Sequence, residues 1–319
     1  MKQFSEKTLK FPLSKTEIEN LDEVDINNLV SLDKQGLLIG HNESILSYKE
    51  RLLNIELEIQ GLKEELETKG QIELFHKVYA SNNNLIDRDI LAQASELTEK
   101  AYNFSINWIP GFFLSKGLGL LTGGCSATSE TGFTFFLIRA AFSNKKKWLW
   151  YSRNELLSHE LSHAAREPIK DRHLEEFFAY KLSSSSFRRF FGNCFQSPFD
   201  AICLLFPLFL LLAVQSINTF FFSGILPMLI FWVIAFIYPI FLLIRNQSYR
   251  NCYFKARKSL LSAFGNKIPF DSILFRCSTK EIKQIGRLNY PTKLKEWIQG
   301  KVENELRWKV INKRFISKI

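Results

Sequence analysis

Between Asp200 and Arg245 run 44 consecutive residues, Ala201 to Ile244, without one charged side chain. A helix crosses the hydrocarbon core of a bilayer with roughly 20 apolar residues, so this stretch is too long for one crossing and suits two. Its most polar portion is Gln215-Ser216-Ile217-Asn218-Thr219, with Ser223-Gly224 shortly after. Division there predicts spans near 201–217 and 222–244, joined by a tight polar turn inside a hairpin bounded at 199–245. Pro207, Pro227 and Pro239 fall within it, and spanning helices accommodate proline where neighbours satisfy the freed carbonyls. The soluble alternative is a buried core hairpin, but a soluble core seldom needs so long an unbroken apolar run.

The flanks predict orientation. Arg188 and Arg189 precede the hairpin, Arg245, Arg250, Lys255, Arg257 and Lys258 follow it, and the connecting turn carries no charge. Positive residues remain on the cytoplasmic side, so both flanks, and with them both termini, are expected there. The opening MKQFSEKTLKF has no apolar core of an export signal, so none is expected to be cleaved.

The formal charge of +10 is uneven, because Arg245 to Ile319 carries 18 Lys and Arg against 5 Asp and Glu. A basic region directly after the apolar stretch points to anionic lipid headgroups as its partner. Nucleic acid is the weaker reading, since no recognised binding motif is present. Within this region IPFDSILF (268–275) reads as a short strand. From about Tyr290 a basic helix carries Trp297, Trp308 and Phe315 among Lys and Arg, which suits an interfacial amphipathic helix or a helix packed on the soluble domain. The five cysteines, Cys125, Cys194, Cys203, Cys252 and Cys277, form no CxxC pair, so neither a disulfide framework nor a thiolate zinc site is expected.

Ahead of the hairpin, Ile45, Tyr48, Leu52, Ile55, Ile59, Leu62 and Leu66 step alternately by three and four, an a/d pattern over three heptads closed by Gly70. It serves equally as a homo-oligomer seam or as the face of a helix packing on its own domain. WIPGFFLSKGLGLLTGG (108–124) and FTFFLIRAAF (133–142) read as strands and turns. Gly117-Leu118-Gly119 with Gly123-Gly124 lacks both the GxGxxG spacing and a Gly-Lys-Ser/Thr, so no nucleotide loop is expected.

One constellation carries chemistry. Ser152-Arg153-Asn154-Glu155 is a capping-box sequence opening a helix that contains His159-Glu160-Leu161-Ser162-His163, an HExxH motif. Residues four apart stack on one helical face, so both imidazoles reach a single zinc ion, while Glu160 sits beside it and can take a proton from a water acidified by the metal. Pro168 stops the helix near Arg166. A further helical stretch from about Arg172 supplies three candidates for a third ligand, His173, Glu175 and Glu176. Arg153, Glu155, Arg166 and Glu167 flank the motif, so its helix lies in water or protein, anchored near the bilayer rather than immersed in it. Residues 181–199 read as a linker, with Ser183 to Ser186 marking loop character.

In these residues the segment 152–180 resembles the gluzincin metallopeptidases, where HExxH is followed by a helix bearing a ligand glutamate. Glu176-Phe177-Phe178-Ala179 is similar to the Glu-x-Phe-Ala element around the third ligand in the zinc aminopeptidase branch. The resemblance implies zinc on His159, His163 and Glu176, with Glu175 and His173 as alternatives. It also implies Glu160 as general base, and Tyr180, one turn beyond Glu176, is placed to donate to the oxyanion. It covers about a tenth of the chain, and the gap from His163 to Glu176 is shorter than in most large gluzincins. The Gly and His spacing of metzincins is absent. Membrane peptidases of the prenyl-protein and heat-shock kind take their ligand Glu beyond later spans, which here means Glu281 or Glu296; Glu176 is the local choice. The wider layout is similar to that of membrane-anchored HExxH proteins of chlamydia-like bacteria.

The expectation is therefore an α+β protein. It has an N-terminal segment (1–40), a heptad helix (41–70), a zincin-like catalytic domain (71–190), the hairpin (199–245) and a basic C-terminal cytoplasmic region (246–319). Its expected function is that of a zinc metallopeptidase of a bacterial inner membrane, or of a host-derived membrane, acting on an unidentified protein or peptide. The alternative is a non-catalytic membrane scaffold or host-directed effector with a relic or structural HExxH site.

Overall fold

Ser44 caps the heptad helix reciprocally with Ser47, the helix runs Ile45–Lys69, and Gly70 ends it in the left-handed region at φ 70°. The structure, a computed structural model, describes residues 9–75, 78–114, 123–129, 132–221 and 227–317. Tyr48, Leu52, Ile55, Ile59 and Leu66 of the heptad seam are buried within the chain itself. The seam thus serves as the face of a helix packed on its own domain. One hydrophobic core draws on this helix, on the HExxH helix and on the C-terminal helices as far as Phe315.

The sheets are small. β1 (Gln71–Phe75) and β2 (Val78–Ser81) form an antiparallel hairpin. β3 (Gly111–Leu114), β4 (Gly124–Thr128) and β5 (Thr134–Arg139) form a sheet in the order β3-β5-β4, with β3 parallel and β4 antiparallel to β5. Lys147–Trp148 and Tyr151–Ser152 make a last short hairpin, β6 and β7. The strands expected in 108–124 and 133–142 are thus present, while the stretch Gly117-Leu118-Gly119 lies outside the described residues. The architecture is a mostly helical α+β fold.

Two long apolar helices follow, Pro198–Phe221 and Met228–Phe264, both long and apolar enough to span a membrane. Only 11% of the apolar window of each is buried, the reverse of what a soluble core hairpin requires. The first helix does not end at the polar cluster expected to be a turn. Ser216 and Thr219 donate their hydroxyls to the carbonyls of Leu212 and Gln215 at 2.9 Å each, so the helix carries these polar groups internally and continues. Ser223 and Gly224 lie outside the described residues. The second helix continues well past Ile244, and its Tyr253, Ala256 and Leu260 are buried against the helix Thr279–Arg287 and its neighbours.

In the C-terminal region one reading is corrected, and of the two open for the basic helix the packed one is found. IPFDSILF is a helix, Phe270–Phe275, whose Ile273 N–H donates to Pro269 O at 3.2 Å. Its buried Phe270, Ile273 and Leu274 fall at helical spacing, which so short an apolar run does not separate from a strand's. The helix Pro291–Asn304 and its successor Leu306–Ile311 do not offer their aromatics to lipid. Trp308 is buried, with Trp297 edge-on to it at 5.3 Å, and Phe315 lies in the core. The basic excess is partly neutralised inside the fold. Arg276 pairs with Asp33 at 2.9 Å, Arg314 contacts the same carboxylate, and Arg307 pairs with Glu281 at 2.7 Å. The expected linker also contains a short helix, Ser186–Phe191.

Candidate metal centre

The HExxH helix runs Arg153–Arg166, stopping where Pro168 predicted; Ser152 stands at its N-cap, but its side chain makes no capping bond, and Glu155 accepts from the Ser183 hydroxyl at 3.1 Å instead. Leu157, Leu161 and Ala165 are buried at four-residue steps and fasten one face to the core. His159 and His163, two positions round, therefore face the opposite side, into a cleft of about 840 Å³. After a short turn the chain returns as the helix Glu175–Tyr180. Its Phe177 and Phe178 enter the core, which leaves Glu175 and Glu176 for the cleft.

The three expected ligands converge. His159 Nε2 and His163 Nε2 are 3.1 Å apart, and the two Glu176 oxygens lie 3.5 Å from one imidazole each. Tetrahedral zinc with ligand distances of about 2.0–2.1 Å separates its donor atoms by about 3.3–3.4 Å. The donor set, two imidazole nitrogens and a carboxylate whose two oxygens each face one ring, with one ligand atom of each residue within 4.8 Å of the others, fits a zinc ion with one position left over.

Glu175 and Glu176 divide the work. Glu175 Oε1 lies 3.4 Å from His163 Nδ1, the nitrogen turned away from the shared point, and Glu175 Oε2 accepts from Arg166 Nε at 3.2 Å. Arg166 is itself buried, bonded to the carbonyl of Phe275, and its guanidinium lies 4.5 Å from the Phe178 ring centre. A carboxylate on Nδ1 fixes the ring so that Nε2 presents its lone pair to a cation. His173 is elsewhere: its ring stacks on Tyr249 at 5.2 Å and its Nδ1 meets the Tyr249 hydroxyl at 3.0 Å.

The electrostatics separate the two imidazoles. Burial, followed by the charge of His163, keeps His159 well below the ordinary histidine value. For His163, burial would act the same way. The bond to Glu175 and the charges of Glu176, Glu175 and Glu160 outweigh it and raise it to about 9. Burial raises Glu176 to about 7. Glu160 is buried in the same cleft, where burial raises its carboxyl while hydrogen bonds from the Ser126 side chain and backbone hold it on β4. Tyr180 stands edge-on to His159, ring centres 4.6 Å apart, and burial with the Glu176 charge raises its hydroxyl to about 12. Gly192 makes room for that ring, since a Cβ there would fall 2.1 Å from it.

Ser126 and Arg166 were not singled out from sequence. Arg166 had a readable signal, lying one turn beyond His163; Ser126 had none, because it reaches Glu160 only through the sheet. A second group of donors, His41, Glu281 and Glu305, also converges. Its centre is already taken by a cation, for Arg307 lies 3.2 Å, 2.7 Å and 3.3 Å from these three side chains. Glu281 is therefore committed to Arg307, and the exposed Glu296 does not line the HExxH cleft. No family model, curated protein or solved structure matches the chain.

Proposed function

We propose that the protein is a membrane-anchored, zinc-dependent metallopeptidase whose active site is the cleft of His159, His163, Glu176 and Glu160. The observation that carries this reading is the convergence of His159, His163 and Glu176, with one ligand atom of each within 4.8 Å of the others, beside a buried carboxylate. Zinc, when bound, supplies a Lewis acid that polarises a carbonyl and acidifies water. Hydrolysis adds water across a C–N bond. Glu160 takes a proton as the water oxygen joins the carbonyl carbon, then passes it to the departing amine. Its elevated pKa suits both halves of that exchange. Tyr180, protonated up to about 12, donates to the oxygen on which negative charge develops.

Peptide as the substrate class is supported by β4. Gly124, Cys125, Ser126 and Thr128 line the cleft, and β4 is an edge strand among the described residues. An extended chain can pair with such an edge through backbone hydrogen bonds. The two apolar helices supply the anchor, which raises the local concentration of substrates near the same bilayer.

Full-length protein in detergent or nanodiscs should hold one zinc ion, and His159→Ala should abolish that binding. Glu160→Gln should keep the metal and lose peptide hydrolysis. Unchanged hydrolysis in that variant would remove the mechanism, and a wild-type chain that binds no zinc would remove the reading altogether.

A further inference from the structure

The β6–β7 hairpin turns at Leu149-Trp150, and both side chains are exposed, at 56% and 59%. Leu149 has φ +51°, a conformation that glycine or asparagine adopts at far lower cost. A bulky apolar residue held in that conformation and turned to the outside has no role in the core. Lys145, Lys146 and Lys147 lie exposed just before it. Strain retained at an exposed position points to a function of the side chain itself.

This tip is joined to the short helix Ser186–Phe191. Arg188 donates to the carbonyl of Trp150, pairs with Glu155 at 3.7 Å and lies over the Tyr151 ring. The helix exposes Phe187 at 69%, its ring against that of Phe191 at 4.5 Å. Its depth is fixed by the second apolar helix. Asn246 donates to Phe190 O at 2.7 Å and Arg250 to Arg189 O at 2.9 Å. At 1.5 Å per residue these contacts lie about 3–9 Å beyond Ile244, the depth of the headgroup layer for a helix that spans up to that residue.

We propose that Leu149, Trp150 and the phenylalanines of helix Ser186–Phe191 form an interfacial docking surface that seats the metal cleft against an anionic phospholipid bilayer. This rests on the membrane reading of the two apolar helices. Aromatic and apolar side chains among Lys and Arg, at headgroup depth and continuous with a helix beginning at Pro198, match a lipid interface in charge and in polarity. The surface borders the active site. A cavity of about 340 Å³ is lined by His159, Glu176 and Tyr180 on one side and by Tyr151 and Arg188 on the other. Docking turns this opening toward the headgroup layer, so the substrates are polypeptide segments lying at the bilayer surface.

The test uses the full-length protein in vesicles of phosphatidylcholine and phosphatidylserine carrying brominated acyl chains. Trp150 is read as the difference between wild type and Trp150→Phe, and Trp232, inside the second apolar helix, as the difference from Trp232→Phe. Bromines high on the chains should quench most of the Trp150 emission, and deep bromines should quench Trp232. Replacing Lys145, Lys146 and Lys147 together by Gln should weaken the quenching of Trp150 and leave that of Trp232 unchanged. Quenched Trp232 with Trp150 open only to aqueous acrylamide would overturn the docking surface and spare the anchor. Loss of quenching at both would overturn the membrane reading as well, and a Trp150 signal indifferent to the lysines would remove the anionic lipid from the proposal.

Discussion

Glu175 Oε1 stands 3.4 Å from His163 Nδ1, on the side of the imidazole away from Glu176. The adjacent glutamates of one helix thus grip one histidine from opposite sides. One would share its metal, and the other fixes its tautomer. Removing the second should weaken the site without deleting a ligand. Glu175→Gln is expected to lower zinc affinity by about 10–100-fold, read by competition with a chelator, while stoichiometry at saturating metal stays at one.

Glu176→Ala should behave differently. With a direct ligand gone, the bound zinc should fall below one per chain under conditions that saturate wild type. His173→Ala should leave zinc content unchanged, since that ring is engaged with Tyr249. Elemental analysis of the two variants side by side decides the third ligand.

Tyr180→Phe removes only a hydroxyl. Zinc content should be unaltered and KM nearly so, while kcat falls by about 10²–10³, the cost of losing one donor to a developing oxyanion. An unchanged kcat would leave Tyr180 as a packing partner of His159.

Stability should depend on acid through Glu281. Burial alone would raise its carboxyl, but the Arg307 charge and hydrogen bonds from Trp308 and Ser278 hold it below the ordinary value of 4.5. A depressed folded-state pKa gives stability that is complete above that ordinary value and is lost as pH falls through the folded one. Glu281→Gln should flatten this acid limb in guanidinium unfolding followed across the acid range. At neutral pH it should destabilise the fold, because buried Arg307 keeps only Glu305, at 3.3 Å, as a carboxylate partner.

Leu161→Ala tests the fastening of the HExxH helix. Leu161 is fully buried, so the cavity should destabilise the fold by about 2–5 kcal/mol. Zinc affinity should fall too, measured at a temperature where the variant remains folded, because the two histidines ride on the same helix.

Much of the site was legible because its signals are local. Four-residue spacing, Ser152 at the N-cap position and Pro168 define where His159 and His163 sit and where their helix begins and ends. Between Glu175 and Glu176 only the Glu-x-Phe-Ala resemblance pointed to Glu176; neighbouring positions on a helix differ by about 100° in direction, and it is the packing of Phe177 and Phe178 that turns Glu176 to both histidines. The paired apolar helices could be read from the absence of charge, but their inner boundary could not. Ser216 and Thr219 look like a turn until their hydroxyls find carbonyls one turn back. The C-terminal region was ambiguous for a third reason. Trp297, Trp308 and Phe315 among Lys and Arg suit an interfacial helix as well as a packed one along the sequence, and Asp33 and Glu281 neutralise Arg276 and Arg307 only once distant segments meet.

The helix Met228–Phe264 carries one further consequence. With Pro239 inside it, it runs on from its apolar part into the 20 residues from Arg245 to Phe264 that pack on the rest of the fold, so it acts as a lever rather than a tether. Tilting its apolar part by about 10° would swing the far end of the roughly 30 Å arm by about 5 Å. A helix with a long apolar stretch tilts according to the thickness of the lipid around it. In the proposed membrane setting, the posture of the HExxH cleft would follow the thickness of the surrounding lipid.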